Sequence, residues 1–91
     1  MEDLEIKILS LMIFAESFSK LRDESSEFTK ANILSDILKN LIHRGYVFTL
    51  LPDDKGQLQR SLGFDSDALQ DYHYQLTSKG VRALESSFIP K

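Results

Sequence analysis

Histidines and cysteines, which most often build catalytic and metal sites, are scarce in this chain. It has two histidines, His43 and His73, and no cysteine, so disulfides and thiolate metal sites are impossible. His43 follows an apolar helical pattern beside Arg44, and His73 lies on the polar side of an alternating segment. Neither belongs to a metal-binding motif such as H-E-x-x-H. The sequence therefore predicts two solvent-facing histidines.

Two acidic stretches are the remaining candidates for a cation site. They are Asp53-Asp54 and Asp65-Ser66-Asp67. The second stretch lacks the spaced ligands, the glycine and the terminal glutamate of a calcium loop. The glycines do not form a phosphate-binding pattern, and the serines have no visible catalytic partners. We therefore expect solvated acidic turns, no metal, no cofactor and no enzymatic activity.

Length and composition predict one globular domain over residues 1–91. Of these residues 42% are hydrophobic and 27% are charged, as in ordinary soluble proteins. The longest apolar run, Leu11 to Ala15, is far shorter than the roughly 20 residues that span a bilayer. The acidic Glu2-Asp3 start is unlike the basic start of a signal peptide. A cytoplasmic protein without membrane contact is expected.

The net charge of −3 is opposite to the basic balance typical of nucleic-acid-binding proteins. The charge is unevenly distributed. Residues 1–27 carry seven acids and three bases, whereas residues 28–64 carry five bases and three acids. The modest basic excess therefore falls on the middle of the chain.

Two long helices are predicted in the first half of the chain. Apolar residues recur at helical spacing over 4–21 and surround most of that helix, which predicts burial within the domain or against a second subunit. The second helix is predicted at 29–44, with Thr29 as its N-cap and Gly45 just beyond its end. Its buried stripe is expected to contain Ala31, Leu34, Leu38 and Leu41, opposite a polar face of Asn32, Ser35, Asp36, Lys39 and His43.

Strands at 46–51 and 70–76 are predicted to pair antiparallel, joined by a long connection in which 57–62 suit a helical turn. Tyr72 and Tyr74 alternate with polar residues, which favours core packing over a stacking platform for single-stranded nucleic acid. Thr77 is predicted to cap a final helix. The expected core contains Ile8, Leu11, Leu34, Leu38, Leu41, Val47, Leu76 and Leu84.

Two phrases in the second half carry a family resemblance. Residues 38–47 read LKNLIHRGYV and residues 74–84 read YQLTSKGVRAL. Over residues 29–88 the chain resembles the winged helix-turn-helix superfamily, and PadR-type and MarR-type regulators in particular. The resemblance implies an α+β winged-helix domain with two N-terminal helices, an antiparallel β-hairpin wing and a C-terminal helix.

The same resemblance implies a small DNA-binding transcriptional regulator. Helix 29–44 would be the recognition helix in the major groove of double-stranded DNA, and 52–69 would be the wing. The residues nearest base edges would be Asn32, Ser35, Asp36, Lys39 and His43, and those near phosphates would be Lys30, Arg44, Lys55 and Arg60. The alternative is a winged-helix adaptor that binds a protein partner, with the acidic N-terminal third in the contact.

The N-terminal part of the chain departs from that family. Two short helices usually precede the recognition helix, whereas a single long helix is predicted here. Either residues 15–23 form a second helix after a bend, or that helix is degraded. Self-association is also expected, as a homodimer through helix 4–21 with Phe88 and Ile89. The competing explanation is that the wing segment, through Leu58, Leu62, Phe64 and Leu69, folds back and covers the apolar side of that helix.

Overall fold

The structure is a computed structural model that describes residues 2–88, and for Phe88 the backbone alone. Helices and antiparallel strands make an α+β domain. In chain order the elements are α1 (Asp3–Ser10), β1 (Glu16–Ser17), α2 (Phe18–Ser25), α3 (Ala31–His43), β2 (Val47–Pro52), β3 (Leu58–Arg60), a 3-10 turn (Leu69–Asp71), β4 (His73–Leu76) and α4 (Ser78–Phe88).

The prediction of a single helix over residues 4–21 is wrong, because α1 ends at Ser10 and the chain bends there. Leu11 is the C-cap of α1, and the carbonyl of Met12 accepts a hydrogen bond from the Leu76 amide at 3.0 Å. Strand β1 then pairs with β4, and Ser17 caps α2 by accepting from the Lys20 amide at 3.2 Å. A second helix therefore does precede α3, at Phe18–Ser25.

The sheet has the strand order β1-β4-β2-β3, and each pair is antiparallel. The predicted pairing of the two strand segments is confirmed, with Val47 opposite Leu76 and Leu50 opposite His73. The helical turn predicted at 57–62 is wrong, because Leu58–Arg60 form β3 and close a hairpin with β2. The first residues of predicted strand 70–76 belong to the 3-10 turn instead.

The core lies between the sheet and the helices. The expected core residues are buried, except that Leu11 is half-buried. Ala31, which the helical pattern placed in the buried stripe, is exposed. Tyr72 and Tyr74 are buried, so their core packing is confirmed. Among residues 2–88, no helix has both the length and the apolarity that crossing a membrane requires.

Candidate functional site

The outward face of α3, the longest helix within residues 2–88, carries an exposed polar stripe. On the opposite face, the side chains of Leu34, Leu38 and Leu41 are completely buried. Because an α-helix repeats every 3.6 residues, burial of these three fixes which side chains project outward. The exposed stripe consists of Asn32, Asp36, Lys39 and His43, one to each turn.

Ser35 belongs to the predicted polar face but lies at its margin. It is half-buried, and its hydroxyl donates to the Ala31 carbonyl at 2.9 Å, within the same helix. It also lines a surface depression together with Asp67 and Asp71 of the 66–71 segment. Ser35 is therefore less available to a bound molecule than the four residues of the exposed stripe.

The N-cap residue of α3 is not the predicted one. Lys30, not Thr29, occupies the N-cap position, and its side chain makes no capping hydrogen bond. Thr29 is drawn toward α2, because its amide donates to the Ser25 carbonyl at 2.9 Å. Its hydroxyl is buried and has no hydrogen-bond partner within residues 2–88. Lys30 itself is exposed at the start of the helix.

The end of α3 is tied to the rest of the domain through Arg44. Its guanidinium contacts the Glu5 carboxylate at 2.9 Å and lies 5.0 Å from the centre of the Tyr46 ring. On the same ring lies the ammonium of Lys79, at 4.5 Å, which also donates to the Arg44 carbonyl at 2.8 Å. Arg44 therefore has an internal role that the sequence pattern did not reveal.

The β2–β3 hairpin carries the remaining predicted cations. Lys55 is exposed at its tip, and the guanidinium of Arg60 lies 4.7 Å from the Phe48 ring centre. The tip is organised by Asp53, whose carboxylate accepts the amides of Lys55 and Gln57, each at 2.9 Å. These two hydrogen bonds hold the pKa of Asp53 below its ordinary value of 3.8, and the bond from the Gln57 amide has the larger effect.

Acid is expected to loosen this hairpin tip in a way that depends on Asp53. The pKa of Asp53 is lower in the folded chain than in the unfolded chain. The ionised carboxylate therefore stabilises the tip at any pH above the unfolded-state pKa, and this stabilisation is lost as the pH falls through the folded-state pKa. The amide NMR shifts of Lys55 and Gln57 should therefore change together below about pH 3.8. Asp53→Ala should abolish this transition, whereas Asp54→Ala should keep it. A transition that survives Asp53→Ala would show that another group controls the tip.

Carboxylates border the exposed stripe of α3 on both sides. Asp36 and Arg44 line one depression together with Glu2 and Glu5, and Asp67 and Asp71 line the depression at Ser35. Within the stripe itself, the charge of Asp36 opposes that of Lys39. This surface therefore has no cationic excess.

The predicted site residues lie in two regions. Along α3, Asn32, Asp36, Lys39 and His43 form the stripe, with Lys30 at its start, Ser35 at its margin and Arg44 just beyond its end. Lys55 and Arg60 belong to the hairpin. In the part of the chain that the structure describes, no three His, Asp or Glu side chains converge as a metal site would require. Comparisons of the chain with protein-family models, curated proteins and solved structures find no match.

Proposed function

We propose that the chain is a winged-helix DNA-binding regulator that reads double-stranded DNA with α3. The observation that carries this proposal is the exposed polar stripe of α3, which lies opposite the completely buried Leu34, Leu38 and Leu41. The order of elements supports it, since α2 and α3 form a helix pair and the β2–β3 hairpin follows as a wing. With 13 residues, α3 is about 20 Å long, enough to lie across a major groove about 12 Å wide.

The roles of the individual residues follow from their chemistry. Asn32 and Lys39 project from the stripe and suit the edges of adenine and guanine respectively. Lys30 and Lys55 are exposed cations at the start of α3 and at the hairpin tip, where phosphates would approach. We assign Arg44 a smaller role in phosphate binding than Lys30 and Lys55, because its guanidinium is already paired with Glu5.

Fluorescence anisotropy with duplex DNA over a salt series tests this proposal. Because phosphate contacts release counterions, affinity should fall steeply as salt rises. Lys55→Ala should reduce the slope of log affinity against log salt by about 1, the expectation for one lost phosphate contact. Arg82→Ala is the matched control, since it removes an exposed cation from α4 and should leave the slope unchanged. Absence of binding at about 50 mM salt would overturn the proposal.

A second candidate function is favoured by the charges around α3. The stripe has no cationic excess, and Glu2, Asp67 and Asp71 lie in the depressions beside it. Those carboxylates would repel phosphates but would attract a basic protein surface. A protein-binding adaptor that docks a basic partner on α3 is therefore the alternative. Lack of DNA binding at low salt by a folded, monodisperse protein would favour it.

A further inference from the structure

Helix α1 lies in the segment that the sequence assigned to a homodimer interface, yet its apolar side chains pack largely within the domain. Leu9 is fully buried and Ile6 is half-buried. The homodimer through residues 4–21 stays a prediction, and Ile89 and the Phe88 side chain, which were expected to join it, lie outside the described part of the chain.

The wing segment, considered as an alternative cover for that helix, folds back in part. Phe64 and Leu69 pack against the core, whereas Leu62 is fully exposed. The 3-10 turn of this segment contacts α2. The first turn of α1 lies elsewhere, at the surface beside α3, where Glu2 and Glu5 line a depression with residues of α3.

An ion pair joins the first turn of α1 to the end of α3. Oε2 of Glu5 accepts a hydrogen bond from Nη1 of Arg44 at 2.9 Å, and the Glu5 side chain is 15% exposed. The other carboxylate oxygen, Oε1, accepts the Glu2 amide at 3.1 Å and completes the capping box of α1. The carboxylate is therefore fixed by the backbone of α1, and it presents one oxygen to the arginine.

The guanidinium of Arg44 is held less completely than the carboxylate. Its hydrogen bonds to side chains within residues 2–88, to Glu5 and to Asn40 at 3.5 Å, both leave from Nη1. The arginine side chain is 39% exposed. A phosphate group offers two oxygens in the paired geometry that a guanidinium binds best. A phosphate is therefore a stronger partner for Arg44 than the single oxygen that Glu5 supplies.

The depression that contains this pair reaches the exposed stripe of α3. Its lining includes Asp36 of the stripe together with Glu2, Glu5 and Arg44. Three carboxylates and one guanidinium give the lining a charge of −2 at neutral pH. Such a surface lowers the local concentration of anions. The arginine that could offset this repulsion is neutralised by Glu5.

We propose that Glu5 is an autoinhibitory residue, whose carboxylate occupies the Arg44 guanidinium in the free protein and must be displaced by a DNA phosphate. This inference rests on the proposed DNA-binding function and adds a regulatory contact to it. The two anions compete for one guanidinium, so the ion pair weakens DNA binding and DNA binding weakens the ion pair by the same factor. Because phosphates carry no base information, the restraint applies to every DNA sequence alike.

Glu5→Gln is the first test, since glutamine removes the charge and still suits a capping box. Affinity for duplex DNA at about 50 mM salt should rise about three- to tenfold, and the slope of log affinity against log salt should steepen by about 1. Asp3→Asn is the matched control, because it removes the same charge from an exposed position in the same turn, outside the depression. Screening should limit its effect to about twofold or less.

Arg44→Gln separates release of the arginine from a general loss of negative charge. In that background, Glu5→Gln should alter affinity no more than Asp3→Asn does. Tightening that is independent of Arg44, or no greater than that of Asp3→Asn, would overturn the autoinhibition and leave the DNA-binding function standing. Absence of binding by both the wild type and Glu5→Gln would overturn the two proposals together.

A measurement on the wild-type protein tests the displacement directly. The carboxyl ¹³C NMR signal of Glu5 reports on the ion pair, so it should shift as duplex DNA is added, whereas in Arg44→Gln it should not respond. An unshifted Glu5 signal in a saturated wild-type complex would show that the pair survives binding and would contradict the displacement.

Discussion

Replacement of Gly80 by alanine is expected to lower the free energy of unfolding by about 2 kcal/mol. A Cβ at this position would overlap the carbonyl oxygen of Tyr46, and would lie 3.1 Å from the carbonyl carbon of Tyr46 and 3.3 Å from the Leu76 Cβ. The Tyr46 carbonyl cannot move away freely, because it also accepts the Thr77 amide at 3.0 Å. The added methyl would therefore force α4 away from the end of α3.

Helix propensity acts in the opposite direction in this variant. Gly80 is in the first turn of α4, and alanine stabilises a helix interior by up to about 1 kcal/mol relative to glycine. The steric overlap is with backbone atoms, so we expect it to exceed that gain. Gly63→Ala is the matched control, because a Cβ there would meet no atom within 4 Å. Urea unfolding should separate the two variants, and equal stability of Gly80→Ala and wild type would contradict the packing argument.

The close approach of Gly80 to Tyr46 joins the two sequence segments that carry the family resemblance, residues 38–47 and 74–84. This contact explains why the two segments were informative together. The Thr77 hydroxyl donates to the Gly45 carbonyl at 2.6 Å and accepts the Gly80 amide at 3.1 Å, so the predicted cap of α4 also binds the turn after α3. Gly45 has a φ of 82°, which favours glycine after a helix. Local propensities encode both ends of this junction, so strand pairing and helix order there were predictable.

The first third of the chain was not predictable in the same way. Residues 4–21 keep an apolar pattern at helical spacing and contain no glycine or proline to mark a break. The break is stabilised by a hydrogen bond from Leu76, which is more than 60 residues away from Met12. Pairing of β1 with β4 is likewise a long-range contact. The periodicity of residues 4–21 therefore predicts one helix, whereas these long-range hydrogen bonds divide the segment into α1 and α2.

The candidate site was predictable in its outline but not in its electrostatics. Burial of the leucines opposite the stripe follows from periodicity, so the exposed residues Asn32, Asp36, Lys39 and His43 were identified correctly as a polar face. The pairing of Arg44 with Glu5 joins residues 39 positions apart and has no local signal. The carboxylates beside α3 also come from other segments of the chain.

Tyr74→Phe is expected to destabilise the domain by about 1–2 kcal/mol near neutral pH. The Tyr74 ring is fully buried, and its hydroxyl donates to the Leu69 carbonyl at 2.7 Å. Phenylalanine preserves the ring packing but leaves that carbonyl without its donor. Tyr46→Phe is a matched control, because it removes the hydroxyl of a tyrosine that is only half-buried.

The effect of Tyr74→Phe should diminish in alkali. Burial, aided by the neighbouring Tyr72 and Asp71, raises the pKa of the Tyr74 phenol well above 10. Above about pH 10 the phenol ionises in the unfolded chain while it stays protonated in the folded one, so the folded state loses up to about 1.4 kcal/mol per pH unit from this group. The variant has no such loss, so its stability difference from wild type should shrink between pH 10 and 11.5 in urea unfolding. A difference that stays constant over that range would mean that the folded phenol ionises as readily as the unfolded one.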